Sequence, residues 1–187
     1  MRNRIIALLL ACVMTVSLLP VSALAVEPSD TAAAQETTVI TTAEEFAAMT
    51  PDGAYRLGAD ITVDAPYSKT FTGSLDGAYH TVTLALHVTA DDTDASWGLF
   101  RTLNGAAIRD LRLAGELAAA EDSPAKNVGA LAGTVSGDTT VSGCRSEVQI
   151  SVSSADSHVG GLLGSVTGGM LSLTGCANAG TVKALKS

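Results

Sequence analysis

The sequence predicts an all-β fold, a parallel β-solenoid with a short N-terminal capping helix. Three observations carry this expectation. The segment Val128-Gly129-Ala130-Leu131-Ala132-Gly133-Thr134-Val135 recurs 31 residues later as Val159-Gly160-Gly161-Leu162-Leu163-Gly164-Ser165-Val166. Fourteen of the 18 glycines fall from Gly98 onward. The seven aromatic residues all lie between Phe46 and Phe100. A core of Leu, Val, Ile, Ala and Cys punctuated by glycine suits thin layers that stack, whereas a sandwich usually places larger side chains at its centre. Helical repeats of similar period exist, but several glycines per unit with β-branched residues between them make a poor helix.

In chain order, Met1–Arg4 is a short basic stretch, Ile5–Leu19 an almost unbroken apolar run, and Ser22-Ala23-Leu24-Ala25 offers small residues to a signal peptidase. Residues 1–25 therefore read as a signal peptide cut between Ala25 and Val26, and the mature chain is expected to be secreted, extracellular or held at the cell surface. The apolar run of 15 residues is shorter than the roughly 20 that a membrane-spanning helix needs. Leu9-Leu10-Ala11-Cys12 offers an alternative, lipoprotein processing at Cys12, although a better cleavage site follows. No other stretch is apolar enough to cross a bilayer.

Residues 26–41, rich in Ala, Thr, Glu and Pro, read as a flexible lead-in, and residues 42–95 as the N-terminal cap and first coils. Thr42-Ala43-Glu44-Glu45 has the form of a capping box ahead of a short helix carrying Phe46 and Met49, placed to cover the first coil's open edge. Pro51-Asp52-Gly53 ends it. Tyr55, Leu57, Ala59, Ile61 and Val63 then alternate with Arg56, Asp60, Thr62 and Asp64, the signature of strands with one face buried.

Three copies of one unit fill residues 96–182, and 183–187 form a tail. Val141-Ser142-Gly143-Cys144 matches Leu173-Thr174-Gly175-Cys176 at an offset of 32. An earlier copy, Trp97–Leu103 followed by Ile108–Leu111, aligns Leu99 and Leu103 with Leu131 and Val135 at the same offset. Gly133/Gly164 and Gly143/Gly175 are expected at corners that need positive φ or close backbone approach. Arg101 replaces the glycine of the later copies, and a distorted turn is expected there.

These residues resemble the GLUG-motif repeats of bacterial surface and secreted proteins. The resemblance rests on Val159–Gly164, Val128–Gly133 and Gly98-Leu99-Phe100, with the lead-in Tyr55–Ile61 and Phe71–Val82. It covers about Thr42 to Val182 and implies a right-handed parallel β-helix. It implies little about activity, because one fold hosts many functions.

The formal charge is −8, from 11 Lys and Arg against 19 Asp and Glu; without Arg2 and Arg4 the balance is 9 against 19. Such a surface disfavours nucleic acid and anionic lipid. Three cysteines exclude a disulfide-dense scaffold and a four-cysteine zinc site. Asp76 and His80 form an apparent acid–base pair, better explained as turn residues with Asp76 capping local N–H groups. Asp91, Asp92 and Asp94, with Glu121 and Asp122 if the turns stack, form an acidic loop able to hold Ca²⁺ or simply to be solvated. His80, His87 and His158 lack zinc spacing, and Gly164-Ser165-Val166-Thr167-Gly168 has the wrong order for a nucleophile elbow. No Lys-Ser/Thr follows Gly160-Gly161 or Gly168-Gly169, against a phosphate loop.

Arg109, Asp110, Arg112, Arg145 and Glu147 recur at similar phases of adjacent units, where surface pairing accounts for them. Cys144 and Cys176 occupy equivalent places in neighbouring coils, about 4.8 Å apart if these stack, as a thiol ladder or a disulfide.

The expectation is a structural or adhesive module binding an extracellular glycan or protein, with no enzymatic activity, catalytic residue, cofactor or metal. The last repeat would leave an open coil able to self-associate. The alternatives are a carbohydrate-active enzyme (polysaccharide lyase or glycosidase) on the same scaffold, or an accessory domain of a larger secreted peptidase. Missing aromatic sugar platforms after Phe100 count against the enzyme.

Overall fold

A computed structural model describes residues 36–184. The signal-peptide, lipobox and most of the lead-in expectations, with the end of the tail, lie outside the described residues. Strand β1 (Thr37–Ile40), helix α1 (Ala43–Ala47), and strands β2 (Ala54–Leu57) and β3 (Ile61–Val63) come first. An incomplete coil follows, of β4 (Tyr67–Phe71), β5 (Ser74–Asp76) and β6 (Thr81–Val88). The next coil comprises β7 (Ser96–Trp97), β8 (Phe100–Asn104), β9 (Ala107–Arg109) and β10 (Arg112–Ala119). After it come β11 (Asn127–Gly129), β12 (Ala132–Ser136), β13 (Thr139–Ser142), β14 (Arg145–Ser146) and β15 (Gln149–Val152). The last described coil holds β16 (His158–Gly160), β17 (Leu163–Val166), β18 (Leu171–Thr174), β19 (Ala177–Asn178) and β20 (Val182–Ala184).

These coils stack into a parallel β-solenoid of about four turns. The first wall runs β1-β2-β5-β9-β13-β18. The second runs from β3 through β6 to β10, whose eight residues then pair with the shorter β14 and β15, followed by β19 and β20. A third wall is β7-β11-β16 and a fourth β4-β8-β12-β17. The segment Thr37–Ile40, expected to belong to the flexible lead-in, is instead a strand in register with Ala54–Leu57. The exposed edge of β2 supplies the partners that its weakly patterned sequence does not announce.

The register reproduces the sequence repeat. Trp97 faces Val128, and Val128 faces Val159. Leu103, Val135 and Val166 form one column; Ile108, Val141 and Leu173 form another. Tyr55, Leu57, Ile61 and Val63 are buried, while Arg56, Asp60, Thr62 and Asp64 face water, as period-two alternation requires. Inward columns exclude water between layers about 4.8 Å apart, and burying each large apolar side chain contributes about 1.5–3 kcal/mol.

The glycine corners behave in two ways. Gly143 and Gly175 adopt φ of 61° and 62°. Gly133 instead lies so close to the backbone of Ser96 and Trp97 that a Cβ there would strike the Trp97 amide. The bend before Arg101 keeps the form of its later copies, while the pairing of β4 with β8 shifts register between Tyr67 and Thr70, opposite Arg101. The third wall begins with β7, so no earlier strand of that wall faces Arg101. Its guanidinium lies 5.2 Å from the Trp97 ring centroid and pairs with Asp94.

The aromatic residues gather at the capped end. Phe71 stacks on Phe100 at 5.0 Å, and Phe46 and Tyr67 lie 5.6 and 5.7 Å from Phe100. Helix α1 delivers Phe46 into this cluster, at the end where the third wall has not yet begun. Thr42 Oγ1 accepts from Glu45 N at 3.2 Å, and Glu45 Oε2 accepts from Thr41 N at 2.7 Å. The return bond thus reaches one residue beyond the usual capping-box partner. The Tyr67 hydroxyl donates to Met49 O at 3.0 Å, tying the helix exit to the coil below. Phe100→Ala should lower the unfolding free energy by about 3–5 kcal/mol in urea titration. Met170→Ala, at a side chain 74% exposed, should change it by less than about 0.5 kcal/mol.

Candidate functional site

The outer face of the first wall carries two residue rows set by the register. One is small and weakly polar: Thr37, Ala54, Ser74, Ala107, Thr140 and Ser172. Beside it run Val39, Arg56, Asp76, Arg109, Ser142 and Thr174. Small side chains flanked by longer ones leave an open groove of about 450 Å³ along the wall. Asp76 is the charged centre of the second row. Its Oδ2 accepts from Arg109 Nη2 at 2.7 Å and lies 3.9 Å from Arg56 Nη1. Its Oδ1 accepts from Ala78 N at 2.9 Å. Both arginines are more than half exposed, so each pair contributes at most about 1 kcal/mol to stability. Their donors face the groove.

Asp76 and His80 are not partners. His80 Nδ1 lies 3.1 Å from Asp60 Oδ1, which also accepts from Thr81 N at 2.8 Å. That amide bond, followed by His80, lowers the Asp60 pKa. The pairing was available in the sequence only through register: Ile61 faces Val82, which places Asp60 opposite Thr81. Asp76 does cap a local amide, as its turn position predicts.

The corner between the first and second walls differs in its early coil. Arg109 to Arg112, Ser142 to Arg145 and Thr174 to Ala177 each leave two residues between paired strands. Asp76 and Thr81 leave four, from Gly77 to His80. This longer corner carries Ala78 and Tyr79 at φ of 48° and 64°, a conformation costing roughly 1–2 kcal/mol per non-glycine residue. Tyr79 N donates to Asp110 O and His80 N to Gly77 O, both at 2.8 Å. Tyr79 is 62% exposed, whereas Phe46, Tyr55, Tyr67, Phe71, Trp97 and Phe100 are buried. The Arg112 guanidinium lies 5.9 Å from its ring centroid.

On the second wall, Arg112 and Arg145 are register partners. They line a second depression of about 320 Å³ with Thr81 and Glu147. Arg145 Nε pairs with Glu147 Oε1 at 2.8 Å. Asp110 adopts φ of 50° at the corner where later coils place Gly143 and Gly175.

Two carboxylates of the acidic loop have local partners. Asp92 Oδ2 accepts from Thr89 N at 2.8 Å, Asp94 pairs with Arg101, and Glu121 and Asp122 sit in a turn closed by Ser123 N to Ala120 O. Among the described residues, no three His, Cys, Asp or Glu side chains converge as metal ligands. His87 pairs with Glu116 at 3.3 Å, and the backbone amide of His158 donates to Lys126 O. Strands, not a helix, follow Gly160-Gly161 and Gly168-Gly169.

Cys144 and Cys176 are both free, Cys144 buried and Cys176 partly so. Cys144 Sγ donates to Ser142 O at 3.4 Å, while Cys176 Sγ reaches Val141 O of the preceding coil at 3.5 Å. Burial pushes the Cys144 thiol up to about 12 from 9.0.

Comparisons with protein-family models, with curated proteins and with solved structures returned no match.

The folded chain holds the Cys144 proton above pH 9, where an unfolded thiol has released it. This contribution to stability is complete below about pH 9 and is lost as pH rises toward 12. Urea titrations should show that decline in the parent chain and a flatter profile in Cys144→Ala. Iodoacetamide at pH 8 should label Cys176 in the native protein and Cys144 only after unfolding, as read by mass spectrometry.

Proposed function

We propose that the chain is a secreted or cell-surface module that binds an extracellular glycan or protein surface and performs no catalysis of its own. The observation that carries this reading is the groove along the outer face of the first wall. There, Ser, Thr and Ala present a shallow floor beside the Arg56-Asp76-Arg109 row. A partner laid on this face would meet similar small and polar side chains from strand to strand and gain affinity from many weak contacts. The resemblance to GLUG-motif repeats and the exported reading of residues 1–25 support an extracellular setting.

Among the described residues, Asp76 is the one carboxylate lining the groove. Glycoside hydrolysis usually needs two, about 5–9.5 Å apart, so the lining favours binding over the rival carbohydrate-active enzyme. Self-association through the C-terminal coil belongs to the same proposal. Val166, Leu173 and Val182 continue buried columns yet are 49%, 49% and 39% exposed. Between His158 and Ala184 the sequence carries one fixed charge, Lys183. An uncharged strand edge readily pairs with another.

Thr140→Arg places a long charged side chain on the groove floor at an exposed position. It should weaken retention on insoluble cell-wall polysaccharide or on surface-protein preparations about tenfold, or 1.4 kcal/mol. Release of new reducing ends or unsaturated sugars by the parent chain would contradict the non-catalytic reading.

A further inference from the structure

We propose that Tyr79 is a stacking platform for an uncharged sugar chain that crosses the corner between the first and second walls. This deepens the binding reading above and rests on it. Tyr79 stands on a corner with two residues more than the three later ones, and its backbone is pinned in the left-handed region. Glycine or asparagine would adopt that geometry at less cost. Arg112 lies over the ring, and the residue is 62% exposed. An aromatic face open to water fits the C–H face of a pyranose ring, and the Arg112 guanidinium holds the platform in place.

The groove of the first wall and the depression of the second lie on either side of this corner. Each offers guanidinium donors beside carboxylate acceptors: Arg109 with Asp76, and Arg145 with Glu147. Such couples donate to and accept from sugar hydroxyls at once. Charge selects the ligand class. Arg56, Arg109, Arg112 and Arg145 are balanced by Asp60, Asp76, Asp110 and Glu147 around the corner, in a chain of formal charge −8. A polyanion therefore finds no net attraction, whereas a neutral polyhydroxylated chain loses nothing to repulsion.

The test is affinity electrophoresis of the full chain in native gels. The gels contain hydroxyethylcellulose, xyloglucan or galactomannan, with polygalacturonate as the charged comparison. At least one neutral polysaccharide should retard the parent chain and Tyr79→Phe within twofold of each other. Polygalacturonate should retard neither. Tyr79→Ala and Tyr79→Asn should both bind at least tenfold more weakly; asparagine removes the ring while tolerating the left-handed backbone. Full binding by both variants, with loss in Thr140→Arg, would overturn the platform and leave the groove standing. Retardation by polygalacturonate alone would overturn the ligand class. Failure of every polysaccharide while surface proteins still bind would overturn the inference and leave a protein-binding module.

Discussion

Everything in this molecule depends on parallel strands stacked in register at about 4.8 Å. That spacing turns a one-dimensional sequence repeat into columns of like residues, one set facing in and the other out. Inward columns such as Leu103-Val135-Val166 exclude water from a narrow interior. Outward columns such as Arg56-Asp76-Arg109 place side chains that are distant in sequence within hydrogen-bonding reach. Stability and surface chemistry therefore arise from the same constraint. A one-residue slip in any coil would bury its charges and expose its core.

The constraint also explains the uneven use of residue types. Complete coils have walls on all sides and are filled by Leu, Val, Ile and Ala, with glycine where backbones converge. The capped end lacks its third wall at first, and Phe46, Tyr67, Phe71 and Phe100 cluster there. Helix α1 closes it with one buried side chain, held by the Thr42–Glu45 cap. The opposite end has no comparable cover among the described residues, and its core columns reach the surface there.

Much of the fold was legible because a solenoid writes its register into its sequence. The recurrence of Val128–Val135, the Cys144/Cys176 offset and the alternation from Tyr55 to Val63 all map onto observed pairings. Less was legible where structure depends on what is absent. Arg101 keeps its bend because no earlier third-wall strand lies against it, and the irregularity falls instead in the pairing of β4 with β8 opposite it. Strand β1 forms because β2 has a free edge. In the candidate site, the turn role of Asp76 could be read from Leu75-Asp76-Gly77, whereas the His80–Asp60 pair needed the register of β3 with β6. The longer corner at Gly77–His80 could have been found by aligning it with Asp110-Leu111 and Gly143-Cys144. The repeat there is too degenerate for apolar matching to reveal it.

The chain thus joins a regular, tightly packed interior to an outer surface on which a lengthened corner presents an aromatic ring. The most direct test of this account is disulfide trapping of the register on the first wall, with Cys144 and Cys176 replaced by alanine. Ser74→Cys with Ala107→Cys places thiols at facing positions on adjacent strands, within the Cα separation that a disulfide tolerates. Ser74→Cys with Thr140→Cys places them two strands apart. The account predicts efficient oxidation of the first pair and none of the second within the monomer. Equal trapping of both pairs, or trapping of the second alone, would contradict the stacked register.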